Sequence, residues 1–347
     1  MPDLEWFQGI PARHEPASFA VVMATGIVSL AAQQQGFTVI AWVLYWINVG
    51  LYALLLMLSL ARVAFHRHAL AADLGGSKNA GFFTIVAGTC VLGSQSVVIA
   101  GAYTAAIGLW FAGLVLWFIV TYGFLAVTMT RQAKPGLQEG IDGSWLLAVV
   151  GTQAVAYLGA LVAVRFGPAL HEVLLLCLAL WLSGHMLYTL IILLIFYRLA
   201  FFSITPDTLT ASYWINMGAL AITTVAGARL ILDAHLWAAL HDLLPFLKGF
   251  TLVFWAGATW WIPLLLILGV WRHFQQGHPF SYHVQYWSIV FPVGMYTVST
   301  SDLATSLHIA FLRHIPQYSV YIALVAWLLV AGGMVSGMRR VWEGRRA

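Results

Sequence analysis

Few ionisable side chains in this sequence could do chemistry, and two that lie within long apolar segments are of most interest. Asp302 is the only acidic residue well inside such a segment, and Arg229 lies near the end of another. A charge in an apolar environment is costly unless it is paired. The two residues are therefore candidates for an ion pair. Alternatively, Asp302 is a protonatable site or a water-exposed residue in a vestibule.

The histidines and cysteines lack the spacing of a metal or haem site. Of twelve histidines, only His185 lies deep in an apolar segment, so paired axial haem ligands are not indicated. Cys90 and Cys177 both lie in apolar segments without a CxxC spacing. We expect no metal, no cofactor and no catalytic residue. For His185 the alternatives are a hydrogen-bonded packing role and a proton relay.

A proline and a large aromatic residue are adjacent in one of the last apolar segments. Pro292 lacks a backbone N–H and clashes with the preceding turn, which predicts a helix kink near Phe291. Gly294 leaves space beside that phenylalanine. A ring at such a bend could gate a pore by excluding water and ions. The alternative is that Phe291 packs in an ordinary helix interface.

The composition assigns these residues to a membrane protein. The 347-residue chain is 61% hydrophobic and 8% charged, with a mean hydropathy of +0.88, whereas soluble domains carry roughly 25% charged residues. We expect a single transmembrane domain over residues 1–347, with short tails at 1–15 and 339–347. The net charge of +4 is spread over loop ends and four C-terminal arginines. That distribution suits lipid headgroups and not nucleic acid.

The apolar segments predict an all-α fold of ten transmembrane helices. A span needs about 20 residues, and short polar turns separate the segments. The predicted spans are 17–32, 39–64, 80–99, 103–128, 143–165, 170–199, 208–231, 246–271, 283–312 and 318–338.

The distribution of Lys and Arg predicts the orientation of the chain. Twelve of the sixteen lie at the termini and in the connections after even-numbered spans, and four lie on the other side. Cytoplasmic loops carry the excess of positive charge. We therefore expect a multi-pass protein of the inner (plasma) membrane with both termini in the cytoplasm.

Hydroxyl side chains alternate between odd and even spans. The odd spans hold 21 Ser and Thr residues and the even spans hold 10. Because such groups avoid lipid, we expect five inner helices around a polar path and five outer helices facing lipid, unless the hydroxyls only cap and pack helices. Structural hydrogen bonding is also the alternative for the candidate pore-lining residues, which are Thr25, Gln95, Gln153, Asn216 and Thr223.

Motifs in three spans together resemble the tellurite-resistance/dicarboxylate transporter family. They are Pro16-Ala17-Ser18-Phe19 with Val22-Met23-Ala24-Thr25-Gly26, Trp181-x-x-Gly184-His185-x-x-Tyr188, and Trp287-x-x-x-Phe291-Pro292. The family includes plant slow-type guard-cell anion channels, the bacterial tellurite-resistance permease, and fungal malate uptake and sulfite efflux proteins. The resemblance runs over nearly the whole chain.

The resemblance implies ten helices arranged as five helical hairpins, with the odd helices lining a central pore. It also implies a homotrimer with one pore per subunit and a phenylalanine of the ninth helix that occludes the pore. In this sequence the Phe-Pro pair identifies that residue as Phe291, followed by Pro292.

These observations favour a channel or transporter for small inorganic or carboxylate anions. No Lys or Arg lies in the middle third of an odd span, so an anion would be held weakly, and weak sites favour fast passage. The alternatives are a proton-coupled C4-dicarboxylate or malate carrier and, from another class, a membrane oxidoreductase or other enzyme.

Overall fold

Ten long helices make up most of the protein. The structure, a computed structural model, describes residues 15–76, 79–279 and 282–343, and these residues contain no β-strand. The long helices are α1 (Ala20–Gln34), α2 (Thr38–Phe65), α3 (Phe83–Val98), α4 (Tyr103–Thr130), α5 (Leu147–Val162), α6 (Leu170–Phe201), α7 (Ile215–Asp233), α8 (Leu244–Val270), α9 (Trp287–Ser306) and α10 (His314–Glu343). Shorter helices occupy Arg67–Gly75, Leu137–Gly140 and Ala238–Asp242.

The prediction of an all-α membrane protein is confirmed. Within the described part of the chain, nine helical segments are long and apolar enough to cross a membrane. Helix α9 is not one of the nine. Its 20 residues include seven Ser and Thr as well as Asp302, which lower its hydropathy. The count of ten membrane crossings therefore stays a prediction, although ten long helices are present.

The boundaries differ from the predicted spans mainly at the starts of the odd helices. The span predicted at 208–231 is α-helical only from Ile215, and the span predicted at 283–312 becomes helix α9 only over Trp287–Ser306. Hydropathy marks the residues that avoid water and does not mark where α-helical hydrogen bonding begins. At the other end of the chain, α10 continues to Glu343, past the predicted end at 338.

The five odd helices form a closed ring, which we call the inner ring. Each packs against the next odd helix, and α9 packs against α1 to close the circle. The segments that contain α1, α3, α5 and α7 are 78–94% buried, whereas those of the even helices are 11–44% buried. In α9, 14 of 20 residues are buried. The predicted division into inner and outer helices matches this pattern of burial.

The five even helices, the outer helices, surround the inner ring. Each packs against the inner helix that precedes it and also contacts the inner helix that follows, with α10 contacting α1. The molecule is therefore five helical hairpins in a circle. Since each outer helix returns along its inner helix, all five inner helices run in the same direction.

A short 3₁₀ turn precedes every inner helix, and the five turns form a second ring that we call the collar. The collar turns are Pro16–Phe19, Asn79–Phe82, Gly143–Leu146, Ala211–Trp214 and Val284–Tyr286. Consecutive turns contact one another and the last contacts the first. The collar thus surrounds one end of the inner ring, the end at which the inner helices begin.

Glycine allows the closest approach between two collar turns, and its replacement should destabilise the protein. A Cβ atom on Gly143 would overlap the backbone carbonyl of Ser212, which cannot rotate aside. We expect Gly143→Ala to lower the free energy of unfolding by about 1–3 kcal/mol, as overpacking does. Thermal unfolding in detergent would measure it. Gly136→Ala, where nothing lies within 4 Å, is the control, and equal melting temperatures for the two variants would contradict the expectation.

Candidate functional site

Phe291 projects from α9 between two points of close helix contact. A Cβ atom on Gly218 of α7 would lie 2.7 Å from Cγ of Pro292, and a Cβ atom on Gly294 would lie 2.9 Å from Cγ2 of Ile27 on α1. A helix turns about 100° per residue. Phe291 therefore lies about 100° from the contact with α7 and, on its other side, about 60° from the contact with α1.

The opposite side of α9 faces the outer helices. The hydroxyl of Tyr296 is 2.8 Å from that of Thr259 on α8, and the hydroxyl of Thr297 is 2.8 Å from that of Ser319 on α10. Because α8 and α10 lie outside the ring, Phe291 is directed toward the ring interior. Its side chain is 2% exposed.

The inward faces of α9 and α1 are apolar at this depth. Met295 and Val298 follow Phe291 at four and seven positions, so they share its face of α9. On α1, Met23 and Ile27 lie on the side opposite to the hydroxyls that bond to outer helices. All five side chains are buried. An ion that passed between the inner helices would meet hydrocarbon and an aromatic ring here.

Three of the predicted pore-lining residues hydrogen-bond to outer helices. The Thr25 hydroxyl accepts a hydrogen bond from the Trp327 indole N–H of α10 (2.9 Å). Gln95 Oε1 accepts one from the Asn48 amide of α2 (2.6 Å). Gln153 Nε2 donates to a backbone carbonyl oxygen of α6 (3.0 Å). Each of these side chains therefore ties an inner helix to an outer helix.

The other two predicted residues lie on the face of α7 that packs against α6. Tyr188 donates to the carbonyl oxygen of Asn216 (3.4 Å), and the Trp181 indole donates to that of Thr223 (3.0 Å). The Thr223 hydroxyl donates to the carbonyl oxygen of Ala219 in its own helix. The Asn216 amide is buried and has no hydrogen-bond partner among the described residues. The two residues share a face, as their seven-residue spacing predicts, but that face is not the inward one.

Hydrogen bonding between inner and outer helices accounts for both the hydroxyl count and the contacts of these residues. Polar side chains join helices to each other where the surrounding solvent is lipid. The inner helices therefore need more Ser, Thr, Asn and Gln than the outer ones, even when their inward faces are apolar. The count identified the inner helices correctly but could not show which of their faces carried the polar groups.

Asp302 does not form the predicted ion pair with Arg229. Arg229 instead donates two hydrogen bonds, of 2.9 and 2.6 Å, to the carboxylate of Asp233. Asp233 is four residues away on α7, where helix geometry brings it within reach. Asp302 accepts a hydrogen bond of 2.8 Å from the side-chain amide of Gln34, the last residue of α1. Arg229 is within electrostatic range of Asp302 but does not contact it directly.

These side chains form a cluster at the end of the inner ring opposite the collar. The distal cluster is Gln34, Arg229, Asp233 and Asp302, and it draws on three of the five inner helices. Asp302 lies eleven residues after Phe291, about three turns, so it shares the inward face of α9. With both carboxylates ionised, the cluster carries one net negative charge.

His185 lies among aromatic side chains on α6. Its ring stacks on Phe250 with centroids 4.4 Å apart and an interplanar angle of 10°, and Phe254 contacts its edge. Nδ1 lies 2.9 Å from the Trp181 carbonyl oxygen. These contacts place His185 between α6 and α8 and not on the inward face. Among residues that the structure describes, no group of three or more His, Cys, Asp or Glu could hold a metal ion.

Comparison with known proteins places this architecture among anion-transporting membrane proteins. The family model described as SLAC1, voltage-dependent anion channel, matches residues 13–335. A sulfite efflux pump of Trichophyton rubrum is 25% identical over 91% of this chain and 88% of its own length. An uncharacterised transporter of Methanocaldococcus jannaschii is 22% identical over 82% of this chain and 83% of its own. An uncharacterised membrane protein of Mycobacterium tuberculosis is 34% identical over 43% of this chain and 75% of its own.

Proposed function

The chain belongs to the SLAC1 family of voltage-dependent anion channels, and on this premise we propose that its inner ring is an anion pathway closed by Phe291. The observation that carries the proposal is the direction of that side chain. Contacts with α7, α1, α8 and α10 surround α9 on every side except the one from which Phe291 projects. The ring of each chain is closed, so each chain would contain its own pathway.

The parallel inner helices would favour anions at the collar. A helix carries about half a positive charge at its N-terminus, and five N-termini meet at the collar. Anions would therefore be drawn to that end without a fixed cation. Farther in, the inward face offers apolar side chains, which hold an anion weakly and so allow it to leave.

Phe291 would close the pathway by excluding water. An apolar constriction that is too narrow to stay hydrated is a barrier to ions even when no atom blocks it completely. Pro292 lacks a backbone donor, so the Ser288 carbonyl has no partner at that position of α9. A helix weakened at this point can bend with less cost, which would let the Phe291 ring move off the axis.

For the substrate we propose small inorganic anions, with sulfite among them. The support is the Trichophyton rubrum relative, a sulfite efflux pump that aligns over most of both chains. A proton-coupled C4-dicarboxylate or malate carrier is the second candidate. Asp302 favours it, because this carboxylate on the inward face contacts a neutral amide and no cation in the described part of the chain.

The proposal also covers the membrane location, the orientation and the oligomeric state of the protein. We propose an inner-membrane location, and the excess of Lys and Arg in connections on the collar side supports an orientation with both termini and the collar in the cytoplasm. The homotrimer rests on the family resemblance alone.

Anion currents in planar bilayers or proteoliposomes test the function. With equal pH on both sides, a sulfite or chloride gradient should drive a current whose reversal potential follows the anion gradient. Uptake that requires a pH gradient would favour the proton-coupled carrier over the channel. The absence of flux for every inorganic and carboxylate anion tried, in protein that is folded and reconstituted, would overturn the proposal.

A further inference from the structure

Two glycines set the distance between α9 and its neighbours in the inner ring beside Phe291. A Cβ atom on Gly218 would lie 2.7 Å from Cγ, 3.1 Å from Cβ and 3.4 Å from Cα of Pro292. Real Cβ atoms do not approach other heavy atoms as closely as 2.7 Å. The α7–α9 contact therefore depends on the missing side chain at residue 218.

The partner of Gly218 cannot move aside. The pyrrolidine ring of Pro292 is closed onto its own backbone, so only a change of ring pucker can move its Cγ atom, and the Cβ atom at 3.1 Å stays fixed to the backbone. A methyl group at residue 218 must therefore shift the backbone of α9 or α7. At the α9–α1 contact, a Cβ on Gly294 would lie 2.9 Å from the Ile27 Cγ2 atom. Ile27 has other rotamers, so this second contact can accommodate a methyl group with a smaller backbone shift.

We propose that Gly218 is a positioning residue for Phe291. Pro292 is bonded directly to Phe291. The contact between Gly218 and the proline ring therefore sets how far the phenylalanine reaches into the ring interior. This inference rests on the proposed function, since it assigns a role in a pathway that Phe291 closes. It adds that the closed position is set by α7, a helix that does not carry the gate.

The contact between Gly218 and Pro292 predicts how a larger side chain at residue 218 would move Phe291. A methyl group at residue 218 pushes the start of α9 away from α7 and along the ring toward α1. Phe291 moves with it, off the axis of the ring, and its seal weakens. Gly218→Ala should therefore raise anion conductance severalfold, although residue 218 neither carries charge nor projects into the pathway.

The test compares glycine-to-alanine variants by anion current per reconstituted protein. Gly108→Ala on α4 and Gly269→Ala on α8 are matched controls, because both glycines are helical and have nothing within 4 Å. They should conduct like the wild type. Combining Gly218→Ala with Phe291→Ala separates an effect through the gate from any other, and the double variant should conduct no more than Phe291→Ala alone.

Each outcome bears on one of the two proposals. A Gly218→Ala current equal to that of the controls, in a background where Phe291→Ala does conduct more, overturns the positioning role and leaves the gate intact. A Gly218→Ala effect that persists in full in the Phe291→Ala background also overturns it. If Gly218→Ala does not fold, Gly294→Ala displaces α9 from its other neighbour, and an unchanged current in a Gly294→Ala protein whose melting temperature has fallen counts against helix spacing as what positions Phe291. No gain from Phe291→Ala itself would refute the gate.

Discussion

Replacing Phe291 with alanine is expected to raise anion conductance about tenfold or more, which corresponds to a fall of ~1.4 kcal/mol or more in the barrier. The smaller side chain widens an apolar constriction and lets it hydrate. Protein stability should fall only modestly if the ring interior then fills with water. Currents under an anion gradient, at equal pH on both sides, measure the effect.

A lipid-facing phenylalanine provides the control for this variant. Phe118 on α4 is 59% exposed, so Phe118→Ala makes the same chemical change away from the pathway and should leave conductance at the wild-type level. An unchanged or smaller current in well-folded Phe291→Ala would mean that Phe291 is an ordinary packing residue, as the sequence alone left open.

Replacing Asp302 with asparagine is the second change with a large expected effect. A carboxylate about 8 Å from a passing anion repels it by roughly 2 kcal/mol at an effective dielectric constant of about 20. Removing that charge should raise the rate of anion passage by up to roughly thirtyfold. The increase should be larger in the background of Phe291→Ala, where the gate no longer limits the current.

The structure also predicts that Asp302→Asn folds. An asparagine side-chain oxygen can still accept the hydrogen bond from Gln34, and Arg229 keeps its two bonds to Asp233. Asp233→Asn is the contrasting variant. It removes the carboxylate partner of Arg229 and should lower the melting temperature in detergent, which Asp302→Asn should not do.

Transport at different pH gradients separates the two candidate functions with the same variant. In a channel, Asp302→Asn changes the size of the current and leaves its independence of the pH gradient. In a proton-coupled carrier, it abolishes pH-driven uptake and leaves passive anion exchange. A variant with wild-type current, stability and pH response would place Asp302 in a water-filled vestibule where its charge is screened.

The sequence predicted the helices and their sorting better than it predicted the contacts of single side chains. Hydropathy and hydroxyl content vary over whole helices, so they reveal which helices are inside. They do not reveal which neighbour a given helix face packs against, because spacing shows only that two residues share a face. Asn216 and Thr223 do share one, and it packs against α6.

The sequence also did not predict the ion-pair partner of Arg229. The cost of an unpaired charge suggested that Asp302 and Arg229 would meet, but Asp233 is held one helical turn from Arg229 by the backbone itself. The collar was missed for another reason. A 3₁₀ turn of three or four residues is too short to produce a hydrophobic period.

The closure of the inner ring has a consequence for biogenesis. The hydrogen bonds Gln34–Asp302 and Trp327–Thr25 join residues 268 and 302 positions apart, so the first helix synthesised meets its partners only when the last hairpin arrives. Until then α1 and α7 expose to lipid, or to the insertion machinery, the sides that α9 will cover. The nascent protein is an open arc of hairpins, and its last two helices close the ring. Folding with such distant contacts is slow, and the unfinished arc is the stage at which quality control has the most time to act.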